Sequence, residues 1–258
     1  MDLADAAGGG ADAGILDPDL KKLIHDLADA SAEEGVGLAV LVDEAQDLGS
    51  GELGTLCSIA HAAAQDDWRV LLAFAGLPSV PRILAEAKLY AERFRYMQVQ
   101  QLDAAAAGEA LMIPAALEHA RWDSDAISVV VDAAGRYPYF LQQFGQEAWN
   151  VAHGPAIELR DAELGVARGT NDLDNGFFRV RWDRATRAEQ SYLRAMADDQ
   201  DAGSPSSEIA ARLSRKPASL GPTRASLIAK GLIYAPEHGR VAFTVPGMSA
   251  FIARQVHD

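Results

Sequence analysis

Two adjacent carboxylates, Asp43 and Glu44, follow directly on five apolar residues, Leu38-Ala39-Val40-Leu41-Val42, and precede Ala45-Gln46-Asp47-Leu48. A continuous apolar run of this length reads as a parallel strand covered on both faces, since a half-exposed strand would alternate. Acids placed where such a strand ends emerge at the crevice in which open α/β sheets bind ligands. There Asp43 suits a magnesium ion held through water, and Glu44 suits the orientation of an attacking water. The bland counterpart is a core strand that ends in a solvated acidic turn.

Other chemistries lack residues at the right spacing. The single cysteine, Cys57, excludes an internal disulfide, and its neighbours Leu56 and Ile59 predict a buried helix position. No Cys/His cluster has zinc spacing and no G-x-S-x-G nucleophile turn occurs. No apolar run approaches the ~20 residues needed to span a bilayer, and the N-terminus has no basic start or apolar centre. A soluble protein of a reducing cytoplasm is expected.

The elements that must position Asp43 and Glu44 follow from pattern. Residues 1–17 are small, acidic and Gly-rich, which predicts a mobile segment. A helix over 18–34 is expected, with Asp17 as N-cap and Pro18 at its first position, then the strand 38–42 and a helix over 52–65. A second apolar strand, 68–75, ends in Gly76-Leu77-Pro78. Helix over 80–94 and a short third strand over 96–100 complete an alternating order that implies a parallel sheet. Residues 103–175 read as helices 103–119, 124–134, 138–152 and 160–168, with a polar stretch at 169–172. The aromatic residues Tyr137, Tyr139, Phe140 and Phe144 are expected in their core.

A last domain is expected over 176–258: helices 184–197, 206–213 and 217–230, then strands 232–235 and 241–245. Short helix, tight turn, second helix and hairpin is the order of a winged helix-turn-helix. Its expected core includes Leu193, Met196, Ile209, Leu213, Leu220, Leu227, Ile228, Leu232, Ile233 and Phe243. The chain carries a net charge of -14, distributed unevenly. From Gly176 onward there are 12 Lys and Arg against 8 Asp and Glu, a net of +4, so any nucleic-acid contact belongs to the tail. Arg215 and Lys216 in the turn, Ser219, Thr223 and Arg224 on the second helix, and Arg240 near the wing are the candidate DNA contacts. The counter-reading is a solvated basic face on a protein-docking module.

With these pieces in order the chain resembles the AAA+ branch of P-loop ATPases, above all the initiator-like proteins of origin-recognition type, and a bacterial group described as AAA-family or ATP-binding proteins. The segments that carry the likeness are LAVLVDEAQDL, VLLAFAGLPSVP, YAERFRY, GRYPYFLQQFG and SLIAKGLIYAPEHGRVAFTVP. The resemblance implies a partial AAA+ core over 18–102, a helical lid over 103–175 and a winged helix over 176–258. It makes Asp43 and Glu44 a Walker B pair, serving magnesium and hydrolysis. It sets Arg93 where an arginine approaches a neighbouring subunit's nucleotide, and Arg136 near the lid's sensor-2 position. Arg93 could equally pair with Glu92 or Asp103, and Arg136 could cap the preceding helix. The sensor-1 segment, Phe74-Ala75-Gly76, lacks the usual polar side chain, and Ser79 is a poor substitute.

Nothing in the sequence reads G-x-x-x-x-G-K-[ST], the loop whose amides and lysine hold phosphates. ATP and magnesium are therefore expected in a longer protein that supplies that loop, and neither is expected on this chain alone. In the family the P-loop strand lies between the sensor-1 strand and the last strand. Without it, the chain must pair those two directly, leave the third strand detached, or pair with another molecule. The expectation is a nucleotide-dependent switch that transmits ATP state to a DNA- or protein-binding tail, with self-association or a protein partner open. The alternative is a non-enzymatic DNA-binding regulator or docking adaptor in which the ATPase fold is scaffold.

Overall fold

A computed structural model of the chain describes residues 14–87 and 91–255, which fall into two compact units, the chain dividing between Gln98 and Val99. In the first unit, helix α1 (Leu16–Glu33) leads into strand β1 (Leu38–Val42), α2 (Ser50–Gln65), β2 (Val70–Phe74) and α3 (Val80–Ala87). β1 and β2 pair in parallel, Leu38 opposite Val70 and Val42 opposite Phe74. Ala45, Leu53, Cys57, Val80 and Leu84 form a small core with Val42 and Phe74. Cys57 is fully buried on α2.

The apolar runs predict both strands, but not how they are covered. Burial alternates along each strand instead of being continuous. Leu41 is 74% exposed and Leu71 61%, on a face shared with exposed Ala39 and Ala73. Among the described residues, β1 and β2 pair only with each other.

Two expectations are corrected here. Residues 96–100 are not a strand: they are irregular, with Met97 and Val99 exposed. Among the three ways of accommodating a missing strand, this is the detached one. Asp17 does not cap α1, which begins at Leu16 after Ile15; the Asp19 carboxylate accepts the Ile15 amide instead, at 3.1 Å. The expectation of mobility over 1–17 falls mainly on residues 1–13, outside the described residues, as does the part of helix 80–94 over 88–90.

The second unit is helical: α4 (Ala104–Leu117), α5 (Ser124–Ala134), α6 (Pro138–Val151) and α7 (Leu159–Leu173). Asp103 caps α4 through the Ala106 amide, and Gly135 ends α5 with a left-handed backbone. A two-residue parallel bridge joins β3 (Arg121–Trp122) to β4 (Ala156–Ile157), a pairing too short to read in sequence. The polar stretch 169–172 is not a break. α7 runs through it into a π turn (Asp174–Phe178) and α8 (Arg179–Asp183), so helical backbone continues across Gly176.

The tail then folds as α9 (Arg187–Ala197), β5 (Ser204–Pro205), α10 (Ser206–Arg212), a 3-10 turn (Pro217–Leu220), α11 (Gly221–Ala229), β6 (Ile233–Tyr234), β7 (Arg240–Phe243) and α12 (Met248–Arg254). β7 lies between β5 and β6, antiparallel to both. The expected helix 217–230 is divided, because Pro222 follows a tight turn closed by the Ser219 amide on the Lys216 carbonyl. Leu193, Met196, Ile209, Leu227, Leu232, Ile233 and Phe243 are buried as expected, with Leu213, Leu220 and Ile228 packed partly against them. No helix among the described residues is long and apolar enough to cross a membrane.

Candidate functional site

Asp43 and Glu44 stand at the carboxyl end of β1, both exposed, where the chain turns sharply. The Glu44 amide donates to Asp43 Oδ1 at 2.8 Å, and Glu44 itself adopts a left-handed backbone, φ 50°. That conformation is uncommon away from glycine and turns the two carboxylates onto one short loop. Asp43 Oδ2 lies outside this hydrogen bond, an exposed oxygen of the kind that a hard cation prefers.

The loop is fastened to the end of β2. The Ala45 amide donates to the Ala75 carbonyl at 2.9 Å, and the Ala75 amide to the Val42 carbonyl at 2.8 Å. Gln46 completes the fastening: its Nε2 donates to Glu44 Oε2, and its Oε1 accepts the Leu77 amide at 3.0 Å. Gly76 is required by this geometry, since a Cβ there would lie 2.4 Å from Gln46 Oε1 and 2.8 Å from Val80. The apolar and glycine residues at 74–76 thus make room for an amide that orients Glu44. Sequence reading passed over Gln46, because its partner lies 31 residues away.

The arginines are placed separately. Arg93, in a short 3-10 turn (Ala91–Arg93), meets Nδ1 of His61 on α2 at 2.9 Å. Arg136 belongs to the second unit. It is exposed, with φ 60°, and its carbonyl accepts the Leu102 amide at 3.1 Å while its own amide closes the end of α5 on Val131.

The candidate DNA contacts divide into two groups. Arg215 and Lys216 are exposed in the turn after α10. Ser219 spends its hydroxyl on the Lys216 carbonyl at 2.7 Å. Thr223 and Arg224 are half-buried, and Arg224 Nε is enclosed without a hydrogen-bond partner. Burial raises the pKa of the adjacent Tyr192 phenol, and the Arg224 charge partly offsets that rise. Arg240 is folded onto the sheet: its Nη2 donates to the Ala202 and Gly203 carbonyls at 3.1 and 2.9 Å, and its Nε faces Glu237 at 3.4 Å.

The tail also encloses a carboxylate with three hydrogen-bond partners. Glu189 on α9, 4% exposed, accepts the Thr186 amide at 2.6 Å, Ser226 Oγ at 2.6 Å and Lys230 Nζ at 2.7 Å. Burial opposes its ionisation, but these hydrogen bonds overcome that and bring its pKa down to about 2.

Residues 175–252 match a family described only as a domain of unknown function, DUF8462. No curated protein matches the chain. Among solved structures, the chain is similar to the Walker-type ATPase of Pyrococcus abyssi, at 18% identity and a TM-score of 0.66, over 91% of this chain and 68% of that one. Lower scores relate it to the RuvB Holliday junction branch migration motor of Thermotoga maritima (13% identity, TM-score 0.46, 95% and 86% covered). Cdc6p of Pyrobaculum aerophilum follows (11% identity, TM-score 0.40, 90% and 69% covered). The fold is similar to that of the Walker-type ATPase.

Proposed function

We propose that this chain is the switch portion of an AAA+-type ATP-binding protein whose tail is a winged helix that contacts DNA. One observation carries the reading: an exposed acidic pair at the carboxyl end of paired parallel strands, with Glu44 held by Gln46 against the turn that follows the neighbouring strand. In this reading Asp43 holds magnesium through water and Glu44 orients the attacking water. Magnesium, when bound, neutralises charge on the phosphates. Arg93 serves a neighbouring subunit's nucleotide, which requires it to leave His61, and Arg136 serves as the lid's sensor. The phosphates themselves are gripped by a glycine-rich segment outside residues 1–258. Among the described residues, the unpaired outer edges of β1 and β2 and the exposure of Leu41 and Leu71 support a sheet that further elements complete.

The test is turnover. A longer protein that carries a G-x-x-x-x-G-K-[ST] loop hydrolyses ATP, and Glu44→Gln lowers the rate about a hundred-fold, the scale of a lost general base. Undiminished turnover in that variant removes Glu44 from the mechanism.

For the tail, the order α9, α10, α11 followed by the antiparallel β6 and β7 supports the winged helix. Arg215 and Lys216 are the phosphate contacts in this proposal, ahead of Ser219 and Arg240, which bond to carbonyls within the tail, and of Thr223 and Arg224, which are half-buried. Replacing Arg215 and Lys216 together by Ala is expected to weaken duplex DNA binding and to flatten the log–log salt slope by about 2, near 0.9 per lost phosphate contact. The folding of Arg240 onto the sheet and the enclosure of Arg224 Nε favour a second reading, a protein-docking adaptor. DNA binding that is undetectable or insensitive to salt selects it.

A further inference from the structure

The rod that begins as α7 changes pitch before it ends. At Asp174–Phe178 the hydrogen bonding widens: the Arg179 amide reaches the Asp174 carbonyl, five residues back, and α helix resumes only for the five residues of α8. Single π turns of this kind hold backbone less firmly than α helix and recur at functional positions. Gly176 lies inside the turn, with no neighbouring atom where a Cβ would stand. Packing therefore does not demand a glycine there, and its presence weakens the turn further.

The turn carries two consecutive rings that share Phe140 as a neighbour, Phe178 lying 5.7 Å from it, and otherwise reach different helices. Phe177 stacks on Tyr139 at 5.0 Å and meets Phe140 edge-on at 5.7 Å, both on α6. Phe178 stacks on Phe251 of α12 at 5.4 Å. α12 approaches closely because Gly247 precedes it: a Cβ there would come within 3.3 Å of Phe178. At the far end of α12, Arg254 makes a bidentate pair with Asp174, Nε to Oδ2 at 2.7 Å and Nη2 to Oδ1 at 2.6 Å. The last described helix thus clasps the first residue of the π turn. Its charged groups are 44% and 20% exposed, accessible enough to release.

We infer that Asp174–Phe178 is a hinge between α7 and α8, and that the Arg254–Asp174 pair is the latch that holds it shut. Opening breaks one two-pronged ion pair and slides rings past one another, while α4 to α7 keep their packing. α12 is the handle: whatever displaces it frees the orientation of α8 and of the tail that follows. The inference is independent of nucleotide and DNA, so it stands or fails apart from the proposed function.

Amide hydrogen exchange on the whole chain tests it. Residues 174–182 are expected to exchange faster than 162–170 in the middle of α7. Arg254→Ala is expected to raise exchange at 174–182 about five-fold, the scale of one well-formed exposed ion pair, with α5 unchanged. Gly176→Ala, which has room for its methyl, is expected to slow the same amides about five-fold through helix preference alone. Protection at 174–182 equal to that of mid-α7 in the unaltered chain overturns the hinge. So does an Arg254→Ala effect spread evenly over the second unit, and so does exchange at 174–182 that neither variant changes. If Arg254→Ala does not fold, the Gly176→Ala comparison still decides.

Discussion

Gly165→Ala is expected to lower the melting temperature of the second unit by about 10 °C. A Cβ at Gly165 on α7 would lie 2.4 Å from the Ala148 amide nitrogen, 2.6 Å from its Cα and 2.8 Å from its Cβ, all on α6. Two of these are backbone atoms, so no rotamer relieves the overlap and the helices themselves must separate. Overpacking a well-packed interior costs about 1–3 kcal/mol and more where backbone must shift. At about 2–4 °C per kcal/mol for a unit of this size, a cost near 3 kcal/mol gives the stated shift. Gly169 provides the internal control. A Cβ there would meet Phe144 Cδ1 at 2.6 Å, but a ring can move where a backbone cannot. Gly169→Ala should therefore cost less than Gly165→Ala in the same melt followed by circular dichroism. A Gly165→Ala melt within 2 °C or so of the unaltered chain, on the same scale, shows that α6 and α7 are not in close contact.

These glycines also explain where sequence pattern stopped being informative. The run Gly169-Thr170-Asn171-Asp172 has the composition of a loop, and single-residue propensities place a break there. Tertiary packing overrides them: Gly169 admits Phe144, and Asn175 Nδ2, one turn on, donates to Asn171 Oδ1 at 3.1 Å. The apolar runs at 38–42 and 68–75 predicted two parallel strands, and the acids after the first fell at the carboxyl end as that pattern requires. What those runs could not reveal is that Leu41 and Leu71 are exposed on one face, since pattern reports what a strand can bury and not what is present to bury it. Residues 96–100 have strand-like composition and no strand, because a strand needs a paired neighbour as well as propensity. Gln46 was visible only as part of a motif, its role fixed by the Leu77 amide. Glu189 was half legible. Thr186 followed three residues later by Glu189 is the signature of a capping box, and the structure forms it, with the Glu189 amide on Thr186 Oγ1 at 3.4 Å. Its partners Ser226 and Lys230 lie 37 and 41 residues away, beyond anything local spacing encodes.

That buried carboxylate sets the second large effect. Glu189→Ala is expected to destabilise the tail by about 2–3 kcal/mol, below the ~3–5 kcal/mol of a fully buried pair because the Lys230 side chain is 30% exposed. The loss leaves Lys230 Nζ with only the Arg184 carbonyl, at 3.0 Å, and leaves Ser226 Oγ and the Thr186 amide without their acceptor. Lys230→Met should cost a comparable amount, because it leaves an enclosed carboxylate short of its counter-charge. Joining Lys230→Met to Glu189→Leu should recover much of the loss, since an apolar pair has no charge to desolvate. Acid unfolding gives an independent reading with a fixed sign. The folded pKa of Glu189, about 2, lies below its ordinary 4.5, so its contribution is complete above pH 4.5 and is lost as pH falls towards 2. Stability of the unaltered chain should fall more steeply between pH 4.5 and 2 than that of Glu189→Gln, and the two curves should run parallel above pH 5. Parallel curves throughout, or a Glu189→Ala variant as stable as its parent in denaturant, would mean that α9 and α11 are held together by their apolar contacts alone.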